Sequence, residues 1–491
     1  MLPLPGKVGS CWLATAPRTA YSALEQSVKA ETVIVGGGIV GLTAALQLSQ
    51  KGRQVVVLEA RRVGGQVTGG STAKITTQHA LIYRHLIDTK GPDLARCYAQ
   101  ANSYGARQIE DWIKEFGIAC DFERRSAYAY ASSEDRSDAI ATEREAALSL
   151  GLEAEMLERA PLPFETSATL HFPGQAQFNP SRYLVGLAGV VSALGGRIFE
   201  QSRAIEFDEK RRWRVATDRG SVDADNIVIA TNMTVKSPIG MTNRTQPRSH
   251  VAMAFRLDDA SAIDGMFLGI DEPTRSFRTG RDAYRSLLVA LGPKFDTGHD
   301  GDVASRFVHL DNWVRDNLPA GPLLWRWCNE DFDTPDRVPY VGAPDPDDAP
   351  GFYVATGFNA WGITNGTAAG VMIADLIIGE ASQWQALYDP ARPCPNNFHK
   401  DGDSQSIIDD VDTLLPGEGS VLVRKELKLA VRRDDAGNLH ALSAECTHKG
   451  CTVTWNNADR TWDCPCHGSI FAADGEVLHG PAKQPLNPQP L

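Results

Sequence analysis

The stretch ETVIVGGGIVGLTAALQLSQKGRQVVVLEA, residues 31 to 60, limits the possible folds more than any other part of the chain. A β-branched run, a glycine-rich turn, an apolar helical stretch and a second β-branched run read as strand, turn, helix, strand, the unit of a parallel sheet. Gly36, Gly38 and Gly41 stand at G-x-G-x-x-G spacing, and Glu59 closes the second strand. That pattern predicts a nucleotide site. The glycines let the backbone approach a pyrophosphate at the helix N-terminus, and the acidic residue meets a ribose hydroxyl. The fingerprint does not choose between NAD and FAD.

At 491 residues the chain is too long for one ordinary core, and two or three domains are expected. Strands and helices alternate up to the segment YDPARPCPNNFHKDGDSQS, which is polar and proline-bearing with no apolar period. Beyond it lie short alternating runs such as SVLVRKELKLAVRRD, punctuated by PGEG, DAGN, NNAD and ADGE, the texture of a small all-β domain. The predicted organisation is an N-terminal arm over 1–28, an α/β domain over 29–387, a linker over 388–404 and an all-β domain over 405–491. The net charge of −12, spread along the chain, argues against nucleic acid or an anionic membrane as the main partner. The apolar stretch from Val33 to Leu48 is too short and too often interrupted to span a bilayer, so no transmembrane helix is expected. Neither a secretory nor a twin-arginine signal is visible in the first twenty residues, and the predicted compartment is the cytoplasm.

Nine cysteines are present; the first five are isolated, as reduced thiols would be, and the last four stand in CTHKGC (446–451) and CPCHGS (464–469). Cys446, His448, Cys464 and His467 form a Cys-x-His pair and a Cys-x-x-His pair with fifteen residues between them. Zinc can use two cysteines and two histidines, but zinc fingers usually pair like with like. A 2Fe-2S cluster with two thiolates on one iron and two imidazoles on the other needs the mixed pairing, which favours iron and sulfur. Residues 405 to 486 resemble the Rieske family. The resemblance implies Cys446 and Cys464 on the inner iron and His448 and His467 on the outer, solvent-facing one. It also implies a disulfide between Cys451 and Cys466, which match the extra cysteines of the respiratory and photosynthetic members and are absent from ring-hydroxylating oxygenases. Ser469 matches a serine that donates to the cluster in high-potential members, whereas Phe471 replaces a tyrosine hydroxyl. The expected potential lies within the Rieske range of about −150 to +300 mV but below its top. HGPAKQPL resembles the proline loop that shields the cluster, and the stop at Leu491 predicts a last strand that is short or borrowed.

GGQVTGGSTAKITTQHA (64–80), NIVIATN (226–232), TPDRVPYVG (334–342) and FYVATGFNAWGITNGTAAG (352–370) occur in the order seen in the D-amino-acid oxidase-like FAD-dependent oxidoreductases. This resemblance covers about residues 30 to 385 and implies a Rossmann-like FAD domain with an interleaved mixed-sheet substrate domain. It implies FAD held by Gly36, Gly38, Gly41, Glu59 and Arg61, with Ser71, Thr72 and Ala73 near the flavin. Gly362, Ile363, Thr364, Asn365 and Gly366 would open a helix whose dipole faces the flavin pyrimidine oxygen.

No second G-x-G-x-x-G and no redox Cys-x-x-Cys stands near the flavin motifs, so a small organic electron donor is expected. The superfamily implies an amine or amino acid. The expected electron path is substrate to FAD, FAD to cluster, cluster to an external one-electron acceptor of the protein or quinone class. Arg275, Arg278 and Arg326 are candidates for a substrate carboxylate, His79 for a flavin-bordering residue and Trp361 for a pocket wall. Two other readings use the same motifs: an oxygen-using flavin oxidase with a structural cluster, and a non-catalytic electron carrier. A Rieske oxygenase is poorly supported, because His79 and His85 have the wrong spacing for a mononuclear iron site.

Overall fold

The computed structural model describes residues 4–209, 212–236, 240–259, 263–282, 285–299, 301–393, 398, 407–424 and 427–491. Most of the expected linker at 388–404, and the start expected for the last domain at 405, lie outside the described residues.

The nucleotide fingerprint opens the centre of an eight-stranded sheet, counted among the described residues. Its parallel heart runs Phe352–Thr356, Ser221–Ile229, Ser27–Val35, Val55–Leu58, Arg197–Phe199. Val33, Ile34, Val56 and Val57 are fully buried, which is why these strands read as unbroken apolar runs instead of alternating ones. The helix Ile39–Gln50 is apolar nearly all round because the helices Gly362–Ile378 and Pro180–Ala193 cover it. Close approach to the first of these depends on small residues. A Cβ on Gly370 would stand 2.6 Å from Thr43 Cβ, and one on Gly366 would stand 2.9 Å from Ile39 Cγ2.

A second, mixed sheet, of eleven strands among the described residues, is interleaved with the first in sequence. Lys74–Ile75, Glu123–Ala131 and Ala168–Gln177 leave the chain between the parallel strands Val55–Leu58 and Arg197–Phe199. The long strands Gln246–Leu257 and Leu323–Asp333 pair antiparallel towards one end of it. The N-terminal arm is built into this sheet: Lys7–Val8 pairs in parallel with Trp325 and Arg326. Trp12 is buried there and donates from Nε1 to the Ser71 carbonyl at 2.9 Å.

Among the described residues the C-terminal region forms two small four-stranded sheets, largely antiparallel, around Trp455 and Trp462, whose ring centroids lie 4.8 Å apart. No strand follows Val477–His479 among the described residues. Residues 487 to 489 instead attach to the strand Leu439–Ser443 through Ser443 N–H to Asn487 O and Gln489 N–H to Ala441 O. No helix among the described residues is long and apolar enough to cross a membrane.

The TPDRVPYVG segment is anchored by a buried ion cluster. Asp336 accepts from Arg392 at 2.8 and 3.0 Å and from Lys90 at 2.8 Å. Burial opposes ionisation of Asp336, but Arg392 and Lys90 outweigh it and hold the carboxyl down to about 2. Against an unfolded value near ~3.9, this depressed group contributes about 2–3 kcal/mol above pH ~4, lost as pH falls towards 2. Thermal melts between pH 5 and 2 are expected to show that loss in the wild type. Asp336→Asn should be less stable at neutral pH and should show a shallower acid slope.

Candidate functional site

The glycine turn is shaped by what a side chain would hit. Gly36 has φ +114°, and a Cβ there would collide with the Ala230 carbonyl oxygen. A Cβ on Gly41 would collide with the Gly36 carbonyl oxygen, so the helix can begin only with glycine at that place. Gly38 is the N-cap with no capping side chain, leaving the helix N-terminus turned to a cavity of about 580 Å3. Glu59 lies beside it: Oε2 accepts from Gly37 N–H at 2.9 Å and Oε1 from Arg61 N–H at 2.8 Å. Burial raises the Glu59 carboxyl, and the two backbone N–H groups oppose that rise. Arg61 acts through this backbone group; its side chain does not line the cavity.

Ser71, Thr72 and Ala73 form the next wall. Ala73 is fully buried with φ +53°, a left-handed conformation uncommon for a residue with a side chain, and its N–H donates to Ser71 Oγ at 3.1 Å. The helix Gly362–Ile378 points its start at the same cavity, with Trp361 as N-cap and no capping side chain. Gly362, Ile363 and Thr364 line the cavity, whereas Asn365 and Gly366 turn away from it. Asn365 Oδ1 accepts from Tyr388 Oη at 2.8 Å and from Asn102 Nδ2 at 3.1 Å, holding the helix start from behind.

His79 stacks on Trp361 at 4.5 Å. Its Nε2 lies 2.9 Å from the Thr76 carbonyl, which can only accept, so that nitrogen carries the proton and Nδ1 accepts from Tyr98 Oη at 2.8 Å. Burial lowers His79 to about 3, against the opposing hydrogen bond to Thr76, which matches the neutral ring that this hydrogen-bond pattern requires.

None of the three arginines singled out as carboxylate candidates lines the cavity. Arg278 is buried and spends its guanidinium on the carbonyls of Thr72, Thr279 and Phe178, stacked over Trp12 at 4.8 Å. Its hydrogen bond to the Thr72 carbonyl braces the Ser71–Ala73 loop from behind. Arg275 lies over Trp313 at 5.0 Å, and Arg326 donates to the Ala458 carbonyl at 3.1 Å. The basic groups that do line the cavity include Lys74, Lys294 and Arg337. Lys74 was within reach of sequence reading, since it directly follows Ser71–Ala73 in the same motif.

Towards the C-terminal end of the chain, two tight loops face each other. Cys446 N–H donates to Cys451 O at 2.8 Å, and Cys464 N–H donates to Ser469 O at 2.8 Å. Cys451 and Cys466 are disulfide-bonded, closing one loop on the other across 15 residues. The sulfurs of Cys451, Cys464 and Cys466 lie within 4.8 Å of one another, but the bond consumes two of them, and Cys464 has its thiol partner in Cys446. The rings of His448 and His467 lie 4.7 Å apart. The Ser469 hydroxyl donates towards Cys446, while Phe471 is buried in the domain core with no hydroxyl to offer.

The second loop is pressed against the α/β domain. A Cβ on Gly468 would collide with Glu330 Oε1, and one on Gly298 would stand 2.7 Å from Pro465 N. Glu330 Oε2 lies 3.2 Å from His479 Nε2. His467 is therefore buried at the seam, with 5% of its surface exposed, whereas His448 is half-buried between exposed neighbours Thr447 and Lys449. The cavity itself extends to Leu478, His479, Gly480 and Lys483 of the C-terminal region. Gly480 packs directly on Gly468 and Ser469 of the second cysteine loop.

A dinucleotide cradle set beside a mixed-sheet chamber, joined to a two-loop cysteine–histidine centre, defines a two-cofactor redox protein. The family model described as FAD dependent oxidoreductase matches residues 31–376, and the Rieske [2Fe-2S] domain model matches residues 405–490. The chain belongs to the FAD dependent oxidoreductase family and carries a C-terminal Rieske domain; its cofactors are FAD and a 2Fe-2S cluster. YhfW of Bacillus subtilis (strain 168), named as a Rieske 2Fe-2S iron-sulfur protein, is 30% identical over 97% of this chain and 96% of its own length. The gamma-glutamylputrescine oxidoreductase of Escherichia coli (strain K12) is 25% identical over 79% of this chain and 93% of its own. The structure of L-proline dehydrogenase from P. horikoshii superposes with a TM-score of 0.61 at 20% identity, covering 74% of this chain and 97% of that one, a likeness of fold.

The residues present fit both groups. The three glycines at 36–38 keep side chains away from the helix N-terminus, where a pyrophosphate would sit, and Glu59 lies beside them where a ribose would sit. Paired thiols and paired imidazoles in two cross-linked loops are the donor set of a Rieske centre.

Proposed function

We propose that this protein is a dehydrogenase of a small amine or amino acid whose electrons leave the flavin singly for the Rieske cluster and then for an external acceptor. When bound, FAD supplies two-electron oxidation of a C–N bond with one-electron release, and the cluster accepts one electron at a time. In this reading Gly36, Gly38, Gly41 and Glu59 hold the nucleotide, and Ser71–Ala73 with Gly362–Thr364 border the flavin. Cys446 and Cys464 hold the inner iron; His448 and His467 hold the outer. The observation that carries the proposal is continuity: the wall of the flavin cavity at Leu478–Gly480 is the backbone on which the second cysteine loop rests.

The chain's own groups support that division of labour. His79, neutral and stacked on Trp361, and Arg278, clamping the Thr72 carbonyl, keep the cavity wall rigid, which serves hydride transfer through positioning. His467 faces the flavin domain and His448 the outside, so the first is the side of electron arrival and the second the side of departure. The names of the E. coli relative and of the proline dehydrogenase fold neighbour agree with a nitrogen-bearing substrate.

Anaerobic stopped-flow spectroscopy of FAD- and cluster-loaded protein against a panel of amines and amino acids tests this. Flavin bleaching followed by cluster reduction in the same molecule is expected. Bleaching with a cluster that stays oxidised overturns the relay in favour of a flavin oxidase with a structural cluster. No bleaching by any member of the panel favours an electron carrier.

A further inference from the structure

We propose that Lys74 binds the carboxylate of the substrate, which makes the preferred substrate an amino acid and not a simple amine. The proposal rests on the amine or amino-acid reading above and narrows it.

Lys74 directly follows the flavin-side loop and lies on the short strand Lys74–Ile75, paired with Gln177 and Ala176. The strand directs it into the cavity where the sheet strands Met266–Gly269 and Ser276–Arg281 form the wall. Its side chain is buried, with 9% of the residue exposed. The ammonium donates to the Phe267 carbonyl at 2.9 Å and to Ser276 Oγ at 2.6 Å. Both partners are neutral, and no carboxylate pairs with Lys74 among the described residues. A lysine ammonium has three donors, so these two bonds leave one unused on a residue that lines the cavity.

The neighbours show how unusual this is. Lys294, on the same cavity, is neutralised by Asp333 at 2.8 Å, and the buried Arg392 is neutralised by Asp336 at 2.8 Å. Arg136 and Arg337 line the cavity but are exposed to water. Unlike these, Lys74 has been taken out of water with no carboxylate paired to it, as has Arg278 behind it. Burying an unpaired charge is costly, and here Arg278 adds a second cation behind it; burial first and Arg278 second bring Lys74 down to about 7. An anion arriving in the cavity removes that cost. It would gain a charge-assisted hydrogen bond in a setting of low dielectric, where such bonds are strongest. An α-carboxylate next to the nitrogen being oxidised is the anion a small substrate can bring.

The test needs no turnover. FAD-loaded protein is titrated with propionate and with its neutral isostere propionamide, following the perturbation of flavin absorption. Wild type is expected to bind propionate saturably and propionamide more weakly. Lys74→Gln, which keeps a hydrogen-bond donor, should weaken propionate by roughly 10- to 100-fold and leave propionamide unchanged. Lys74→Arg should retain part of the propionate affinity, which guards against a folding defect in the first variant. Equal binding of the two probes by wild type, or undiminished propionate binding by Lys74→Gln, overturns the proposal. So does an equal slowing of flavin bleaching by alanine and by ethylamine in Lys74→Gln, since that assigns Lys74 to the amine. If propionate binding depends on Lys74 while no amine or amino acid bleaches the flavin, the recognition site stands and the dehydrogenase reading fails.

Discussion

Replacing Cys464 with serine is expected to abolish the 2Fe-2S absorption and its EPR signal while leaving the flavin bound. Cys464 is almost wholly buried, its backbone is tied to Ser469, and its thiol lies against that of Cys446. A serine hydroxyl of the same shape would keep the loop, because the disulfide and the contacts of Gly468 and Gly298 hold it from both sides. What it cannot replace is the thiolate. Losing even a hydrogen-bond partner of a metal ligand costs roughly 10- to 100-fold in metal affinity or activity, so loss of a ligand should cut reduction of a one-electron acceptor at least ~100-fold. Flavin bleaching by substrate should persist. Acceptor reduction at the wild-type rate in a cluster-free variant would sink the relay.

A second large effect is expected from Gly41→Ala. The added Cβ would overlap the Gly36 carbonyl oxygen and press on Ile34 Cγ2 at 3.1 Å. Gly36 cannot yield, because its own Cα already faces the Ala230 backbone in a left-handed conformation. Forcing atoms into a packed site typically costs about 1–3 kcal/mol, which is roughly 5- to 150-fold in cofactor affinity if it falls on the cradle. The ratio of flavin to protein after gel filtration should fall well below that of wild type, with a lower melting temperature. Gly38→Ala is the control: a Cβ there meets nothing of the protein nearer than Thr68 Oγ1 at 3.4 Å. It should fold normally and lose flavin only through crowding of the nucleotide. If Gly41→Ala keeps full flavin content, the turn is not the cradle.

Both variants act on motifs that were legible without coordinates. The nucleotide turn and the cysteine–histidine loops are local: their residues lie within thirty positions of one another, and their spacing is imposed by the group they hold. The arginines were a different matter. Arg278 stands in a strand facing the right sheet, and nothing in its neighbours shows that its guanidinium would be consumed by the carbonyls of Thr72, Thr279 and Phe178. Those acceptors come from positions far apart in the chain, so the assignment depends on how three segments meet. The same holds for the N-terminal arm, where Trp12 reaches Ser71 only because Lys7–Val8 joins the strand Leu323–Asp333.

By itself, the sequence determined the two domain types, a nucleotide turn and a mixed cysteine–histidine donor set, because short-range spacing and backbone freedom decide those; the choice of flavin came from the order of several motifs along the chain. Only the tertiary structure decided which cations meet a carboxylate and which do not. It also decided that the cavity of one domain shares a wall with the cysteine loop of the other. Counter-charges and seams are built from residues far apart in the chain, such as Gln66 with Leu478 and Glu330 with His479. Pairings of that kind are set by packing and leave no periodic trace in the chain.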